Sequence, residues 1–109
     1  NNKSINLIIA FDYGGRREII ETTRKIVDSK VNPEKINEDL FNEFLNDGVP
    51  DPDLVIRTGG EYRLSNFLIW QTAYSEFFTS NALWPDFDVS EFSKALIEFS
   101  KRKRRFGAD

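Results

Sequence analysis

The sequence predicts an α/β fold built on a parallel sheet flanked by helices. Three observations carry that expectation. Ile5 to Phe11 is a near-continuous apolar run, as in a parallel strand buried on both faces, and Asp12-Tyr13-Gly14-Gly15 stops it before a helical pattern begins. A second β-rich run, Leu54-Val55-Ile56, ends at Thr58-Gly59-Gly60. Further short apolar runs, Phe77-Phe78 and Ala82-Leu83-Trp84, precede another helical pattern. Strands that alternate with helices favour parallel pairing.

The elements follow in order. From Arg16 to Ser29 the apolar positions Ile19, Ile20, Ile26 and Val27 recur at helical spacing, so strand, Gly-Gly turn and helix open a βαβ unit. Asn32-Pro33 is a helix-start signal, and Ile36, Leu40, Phe41, Phe44 and Leu45 continue the period to Asp47-Gly48. Ser65 is placed to cap a helix through Phe67, Leu68, Trp70 and Gln71. One of the runs 77–78 and 82–84 is expected to be the third strand, with Pro85 ending the second run. Asp88 or Ser90 caps a last helix carrying Phe92, Ala95, Leu96 and Phe99 on one face. The ten Phe residues fall mostly at core spacing. Three strands are few for such a sheet, and its edges need covering. The chain also contains no Met, and together these lead to the expectation that the 109 residues are part of a larger domain.

Composition narrows the chemistry. Hydrophobic residues make up 39% and charged residues 30%, the profile of a globular chain. The longest apolar run, Leu7 to Phe11, is far shorter than the roughly 18 residues of a membrane span. Without Cys there is no disulfide, thiolate metal site or cysteine nucleophile, and without His no Ser-His-Asp triad and no imidazole ligand. Chemistry is left to carboxylates, arginines, hydroxyls, backbone donors or a hard metal held by oxygen. The net charge of −3 is uneven. Residues 1–100 hold 10 basic and 17 acidic groups, a net −7, whereas 101–109 hold 5 basic and 1 acidic, a net +4. The acidic body disfavours nucleic acid, while the basic tail either meets phosphate or simply complements a helix C-terminus.

Ligands of open α/β sheets bind beyond the carboxyl ends of the strands. At one such end, Arg57 is followed by Gly59-Gly60, Arg63, Leu64 and Ser65. Two guanidiniums, glycine amides, a hydroxyl and a helix N-terminus suit a diphosphate. The same residues also suit a plain turn with solvated arginines and a cap. Asp12-Tyr13-Gly14-Gly15-Arg16-Arg17 reads more simply as a strand-to-helix turn. Glu76, set before Phe77-Phe78, is either one ligand of a hard cation or a half-buried partner of an arginine.

The stretch from Asp51 to Gln71, Asp-Pro-Asp-Leu-Val-Ile-Arg-Thr-Gly-Gly-Glu-Tyr-Arg-Leu-Ser-Asn-Phe-Leu-Ile-Trp-Gln, strongly resembles the signature of cis-prenyltransferases, bacterial undecaprenyl diphosphate synthases in particular. Tyr13 to Ile19, Ala73 to Phe77, Leu83 to Phe87 and Arg104 to Gly107 agree in kind and order. The resemblance implies a transferase that condenses isopentenyl diphosphate with an allylic, farnesyl-type diphosphate, using Mg²⁺, to build a long cis-polyprenyl diphosphate for cell-wall lipid carriage. It implies that Arg57, Arg63, Leu64 and Ser65 hold isopentenyl diphosphate and that Glu76 serves the metal. It also implies that Arg105 and Gly107 reach the diphosphate of the partner subunit in a homodimer. The family's catalytic aspartate and chain-holding tunnel have no match here, and the resemblance places both upstream of Asn1. Residues 1–109 are therefore expected to be the carboxyl-terminal half, without a catalytic residue of its own and inactive alone. A cytoplasmic location is expected, with peripheral membrane contact suited to a lipid product. The alternative is a non-catalytic partner subunit of a heteromeric prenyltransferase, which would not need the arginine-serine cluster.

Overall fold

The computed structural model describes residues 4–102. Its regular elements are α1 (Gly15–Asp28), a 3₁₀ turn at Pro33–Lys35, α2 (Glu38–Asn46), β1 (Leu54–Arg57), β2 (Glu76–Thr79), a 3₁₀ turn at Trp84–Asp86 and α3 (Val89–Lys101). The strands β1 and β2 pair in parallel, Leu54 opposite Glu76 and Arg57 opposite Thr79. The α/β class and the parallel pairing are as expected, and residues 76–79 provide the partner strand, not 82–84.

Caps decide the helix boundaries. Asn37 Oδ1 accepts from Leu40 N at 2.9 Å and Asp88 Oδ1 from Glu91 N at 3.0 Å, which starts α2 and α3. The α2 helix begins later than Asn32-Pro33 suggested. Asn32 caps only the 3₁₀ turn, Ile36 is extended, and Asn37 starts the helix afresh. Asp47 in the left-handed region and Gly48 at φ +85° then end it.

The expected helix after Ser65 is absent. Ser65, Asn66 and Leu68 have φ of +52°, +63° and +45°, values that a right-handed helix does not accommodate. The segment instead forms successive turns pinned from outside. Tyr13 Oη accepts from Leu68 N at 3.2 Å, and Trp70 Nε1 donates to Asn42 Oδ1 at 2.5 Å beside a Phe41–Trp70 ring contact of 4.6 Å.

Ile5 to Phe11 is likewise no strand. It has no ladder partner among the described residues, and Ile5, Leu7, Ile9 and Phe11 are each about four-fifths exposed or more. An apolar run becomes a strand only where another strand satisfies its amides and carbonyls. Among the described residues only Ile26 and Ala95 are buried apolar side chains, and no Phe is fully buried. Two short strands and three helices do not close the layers that a parallel sheet needs on both faces. No helix is long and apolar enough to cross a membrane among the described residues.

Candidate functional site

Arg57 ends β1 and gathers the following loop onto itself. Its Nη1 donates to the Arg63 carbonyl at 2.5 Å and to Ser65 Oγ at 2.8 Å, and its Nη2 donates to Glu61 Oε2 at 2.6 Å. Arg63 Nη2 lies 3.5 Å from Glu61 Oε1. Arg57, Arg63, Glu61 and Ser65 thus form one cluster at the carboxyl end of β1, and Leu64 lines two depressions that Arg57 and Arg63 line as well. The Arg57 side chain is 30% exposed and that of Arg63 is 67% exposed. An anion entering here meets two guanidiniums and a hydroxyl, donors suited to phosphoryl oxygens.

The glycines act differently from expectation. Gly59 N donates to Ala82 O at 2.9 Å and Gly60 N to Ser80 O at 2.8 Å, so both amides are engaged within the fold and are not free to cradle an anion. Their work is shape. At Gly60, φ is +74° and a Cβ would sit 2.9 Å from Asn81 Oδ1. With no helix behind Ser65, no helix dipole contributes either. The donors of this site are side chains.

Tertiary bonds invisible to any motif hold Ser65 in place. Asn66, the next residue, caps α1 from a distance. Its carbonyl accepts from Gly15 N at 2.7 Å and its Oδ1 from Arg16 N at 2.9 Å, while Gly14 offers α1 no side-chain cap. A Cβ on Gly15 would press to 3.0 Å on that Asn66 carbonyl. Beside this junction Tyr13 Oη donates to Glu18 Oε1 at 2.6 Å, and Gln71 Nε2 donates to the same oxygen at 3.0 Å. The stretch from Tyr13 to Glu18 is therefore a docking surface for 66–71. Arg17, by contrast, pairs locally with Asp12. Sequence separations of 50 residues and more left these contacts without a signal.

Burial, reinforced by the hydrogen bond and negative charge of Glu18, pushes the Tyr13 phenol up to about 12, against a partly opposing bond from Leu68 N. The folded chain thus holds this proton more tightly than the unfolded chain. The contribution is present below about pH 10, the ordinary tyrosine value, and is lost as pH rises from there through 12. Tyr13→Phe is expected to lower stability by about 1–2 kcal/mol at neutral pH through the lost bonds. The gap from wild type should shrink in urea melts above pH 10. Equal stability of the two proteins at pH 7 would deny the phenol this role.

Glu76 stands apart from the cluster. It begins β2 whereas Arg57 ends β1, a separation of three strand residues or roughly 10 Å, and an odd spacing along the ladder turns the two side chains to opposite faces. Its Oε2 lies 3.6 Å from Arg102 Nη1, which also donates to the Phe77 carbonyl at 2.6 Å. Glu76 offers one hard oxygen donor. No group of three or more His, Cys, Asp or Glu residues suited to a metal occurs among the described residues.

Three positions named from the sequence fall outside the described residues. Arg105 and Gly107 do so at one end. Asn1, the residue before which the catalytic aspartate is expected, does so at the other. The expected contact with a partner subunit and the expected placement of the aspartate therefore rest on the resemblance alone.

The family model described as putative undecaprenyl diphosphate synthase matches residues 1–107. An isoprenyl transferase of Fusobacterium nucleatum is 51% identical over 98% of the chain, which covers 46% of that relative. The chain thus spans about half the length of such relatives. Lavandulyl diphosphate synthase from Lavandula x intermedia, solved with dimethylallyl diphosphate, superposes with a TM-score of 0.79 at 38% identity, covering 87% of this chain and 43% of that one. A probable undecaprenyl diphosphate synthase from Campylobacter jejuni gives 0.77 at 38% identity, covering 89% and 45%. With the family model matching nearly every residue and both structures sharing the fold, the chain belongs to the cis-prenyltransferase family.

Proposed function

We propose that this chain supplies the isopentenyl diphosphate site of a cis-prenyltransferase, as the carboxyl-terminal half of the domain, and that the complete enzyme extends an allylic diphosphate into a long cis-polyprenyl diphosphate of the undecaprenyl type. The observation that carries the reading is the convergence of Arg57, Arg63 and Ser65 at the carboxyl end of β1. Bidentate guanidiniums and a hydroxyl hold a diphosphate without assistance from a glycine loop. Leu64, between Arg63 and Ser65 in the chain, borders the same site. The catalytic aspartate is placed in the half that precedes Asn1. The intact cluster favours this role over that of a non-catalytic partner subunit. A homodimer in which Arg105 and Gly107 reach the partner's diphosphate, and a cytoplasmic enzyme touching the membrane only to deliver its lipid, complete the proposal.

Calorimetric titration with isopentenyl diphosphate tests the assignment, with the arginine variants discussed below as controls. Saturable one-to-one binding is expected, and absence of heat or saturation at millimolar ligand contradicts it.

Glu76 is the described residue proposed to hold Mg²⁺. A single carboxylate oxygen fits an ion that takes one or two protein carboxylates and completes its shell with phosphate and water, and when bound the ion offsets diphosphate charge. In the complete enzyme, Glu76→Gln is expected to lower turnover at limiting Mg²⁺ about tenfold or more, with partial recovery at high Mg²⁺. Normal turnover at limiting Mg²⁺ would leave Glu76 only its Arg102 pairing.

A further inference from the structure

The arginine cluster already holds an anion of its own. The Glu61 carboxylate lies between the two guanidiniums and gives one oxygen to each, Oε2 to Arg57 at 2.6 Å and Oε1 to Arg63 at 3.5 Å. Two arginines would offer the same arrangement to two oxygens of a phosphoryl group. Glu61 is not locked there. Its side chain is 47% exposed, and it sits four residues past Arg57 in a loop whose glycines Gly59 and Gly60 take left-handed conformations. The contacts that fix the loop are different ones, namely the Gly59 and Gly60 amides on residues 82 and 80 and Arg57 Nη1 on the Arg63 carbonyl and Ser65. Arg57 Nη2, by contrast, points to Glu61.

We propose that Glu61 is a displaceable counter-ion of the diphosphate site: it neutralises Arg57 and Arg63 while the site is empty, and an incoming diphosphate must replace it to reach both guanidiniums. This rests on the diphosphate reading of the Arg57 cluster. Glu61 thereby sets the affinity of the site. Without it, two like charges would face each other and bind any polyanion more tightly. With it, every anionic ligand meets the same opposing cost of exchange, which shortens its residence. The exchange uses a short side chain on a loop with left-handed glycines and leaves the backbone bonds of the loop in place.

The test is titration of the protein with inorganic pyrophosphate, free of divalent cations, at two ionic strengths. Glu61→Gln retains size and hydrogen-bonding oxygen but loses the charge, and Glu61→Ala removes the side chain. Both are expected to bind pyrophosphate about threefold to tenfold tighter than wild type, the span that exposed ion pairs with two arginines account for. Their affinity should also fall more steeply with salt, because wild-type Glu61 is itself loosened by salt and so compensates in part. Thermal unfolding of each variant checks that the fold persists, as the exposure of Glu61 leads one to expect. Arg57→Ala in the same series separates two kinds of failure. If wild type does not bind pyrophosphate, or Arg57→Ala binds it equally well, the diphosphate reading itself falls. If wild type binds and Arg57→Ala weakens it, yet both Glu61 variants bind equally or more weakly, Glu61 orders the arginines and the counter-ion proposal is overturned.

Discussion

Replacing Arg57 by alanine is expected to weaken isopentenyl diphosphate binding about tenfold to a hundredfold, the equivalent of one charge-assisted contact of roughly 1.5–3 kcal/mol. The direct loss is one guanidinium fork. A second loss is structural, because Arg57 Nη1 ties the Arg63 carbonyl and Ser65 Oγ to the end of β1, so its removal also releases the two other donors. Arg63→Ala should therefore cost less than Arg57→Ala. Arg63 is the more exposed of the two, and its side chain meets the loop through the longer, 3.5 Å pairing with Glu61. Arg57→Lys retains the charge but not the planar fork, and the three bonds that Nη1 and Nη2 now make require that fork, so binding should recover only in part. Calorimetry on the folded variants measures the order, Arg57→Ala weakest, then Arg63→Ala and Arg57→Lys. Unchanged affinity in Arg57→Ala would remove this cluster from the binding site.

The second large effect is expected at a residue that touches no ligand. Asn66→Ala should lower stability by about 2 kcal/mol. Loss of a side-chain cap costs about 1 kcal/mol, and a left-handed backbone that Asn tolerates and Ala does not adds roughly another 1 kcal/mol. Arg16 N would lose its acceptor, and φ at position 66 is +63°. For a chain of this size the melting temperature should fall by roughly ten degrees. Asn66→Asp is the matched control. It retains the acceptor, tolerates the backbone, and puts negative charge at the N-terminus of α1, so most of the stability should persist. The alanine variant should also bind diphosphate less well, since Ser65 and the turns behind it are anchored to α1 through this residue. A melting temperature within a degree or two of wild type would show that the Gly15–Asn66 backbone bond alone secures the junction.

Features written in local chemistry were legible in the sequence. Asp88 marks the start of α3 because an Asx oxygen satisfies a free amide three residues on. Leu54 to Ile56 and the glycines after them place a strand and its turn. Arg57, Arg63 and Ser65 fall close enough along the chain that one strand end and one loop bring them together. The signature from Asp51 to Gln71 was specific enough to point to the family. Other features depend on partners far along the chain, and these emerged only from the folded arrangement. Helical spacing after Ser65 yielded to turns as Tyr13 took the Leu68 amide and the N-terminus of α1 took the Asn66 carbonyl, backbone groups that a helix would have used. The run from Ile5 to Phe11 has strand composition but no neighbouring ladder among the described residues, and composition supplies no hydrogen-bond partner. Gly59 and Gly60 commit their amides to residues 82 and 80, the Glu61 carboxylate comes to lie between two arginines, and the parallel register turns Glu76 away from Arg57. Spacing records which groups are near along the chain, whereas the exchange of hydrogen bonds and charges between distant segments is settled only when those segments meet.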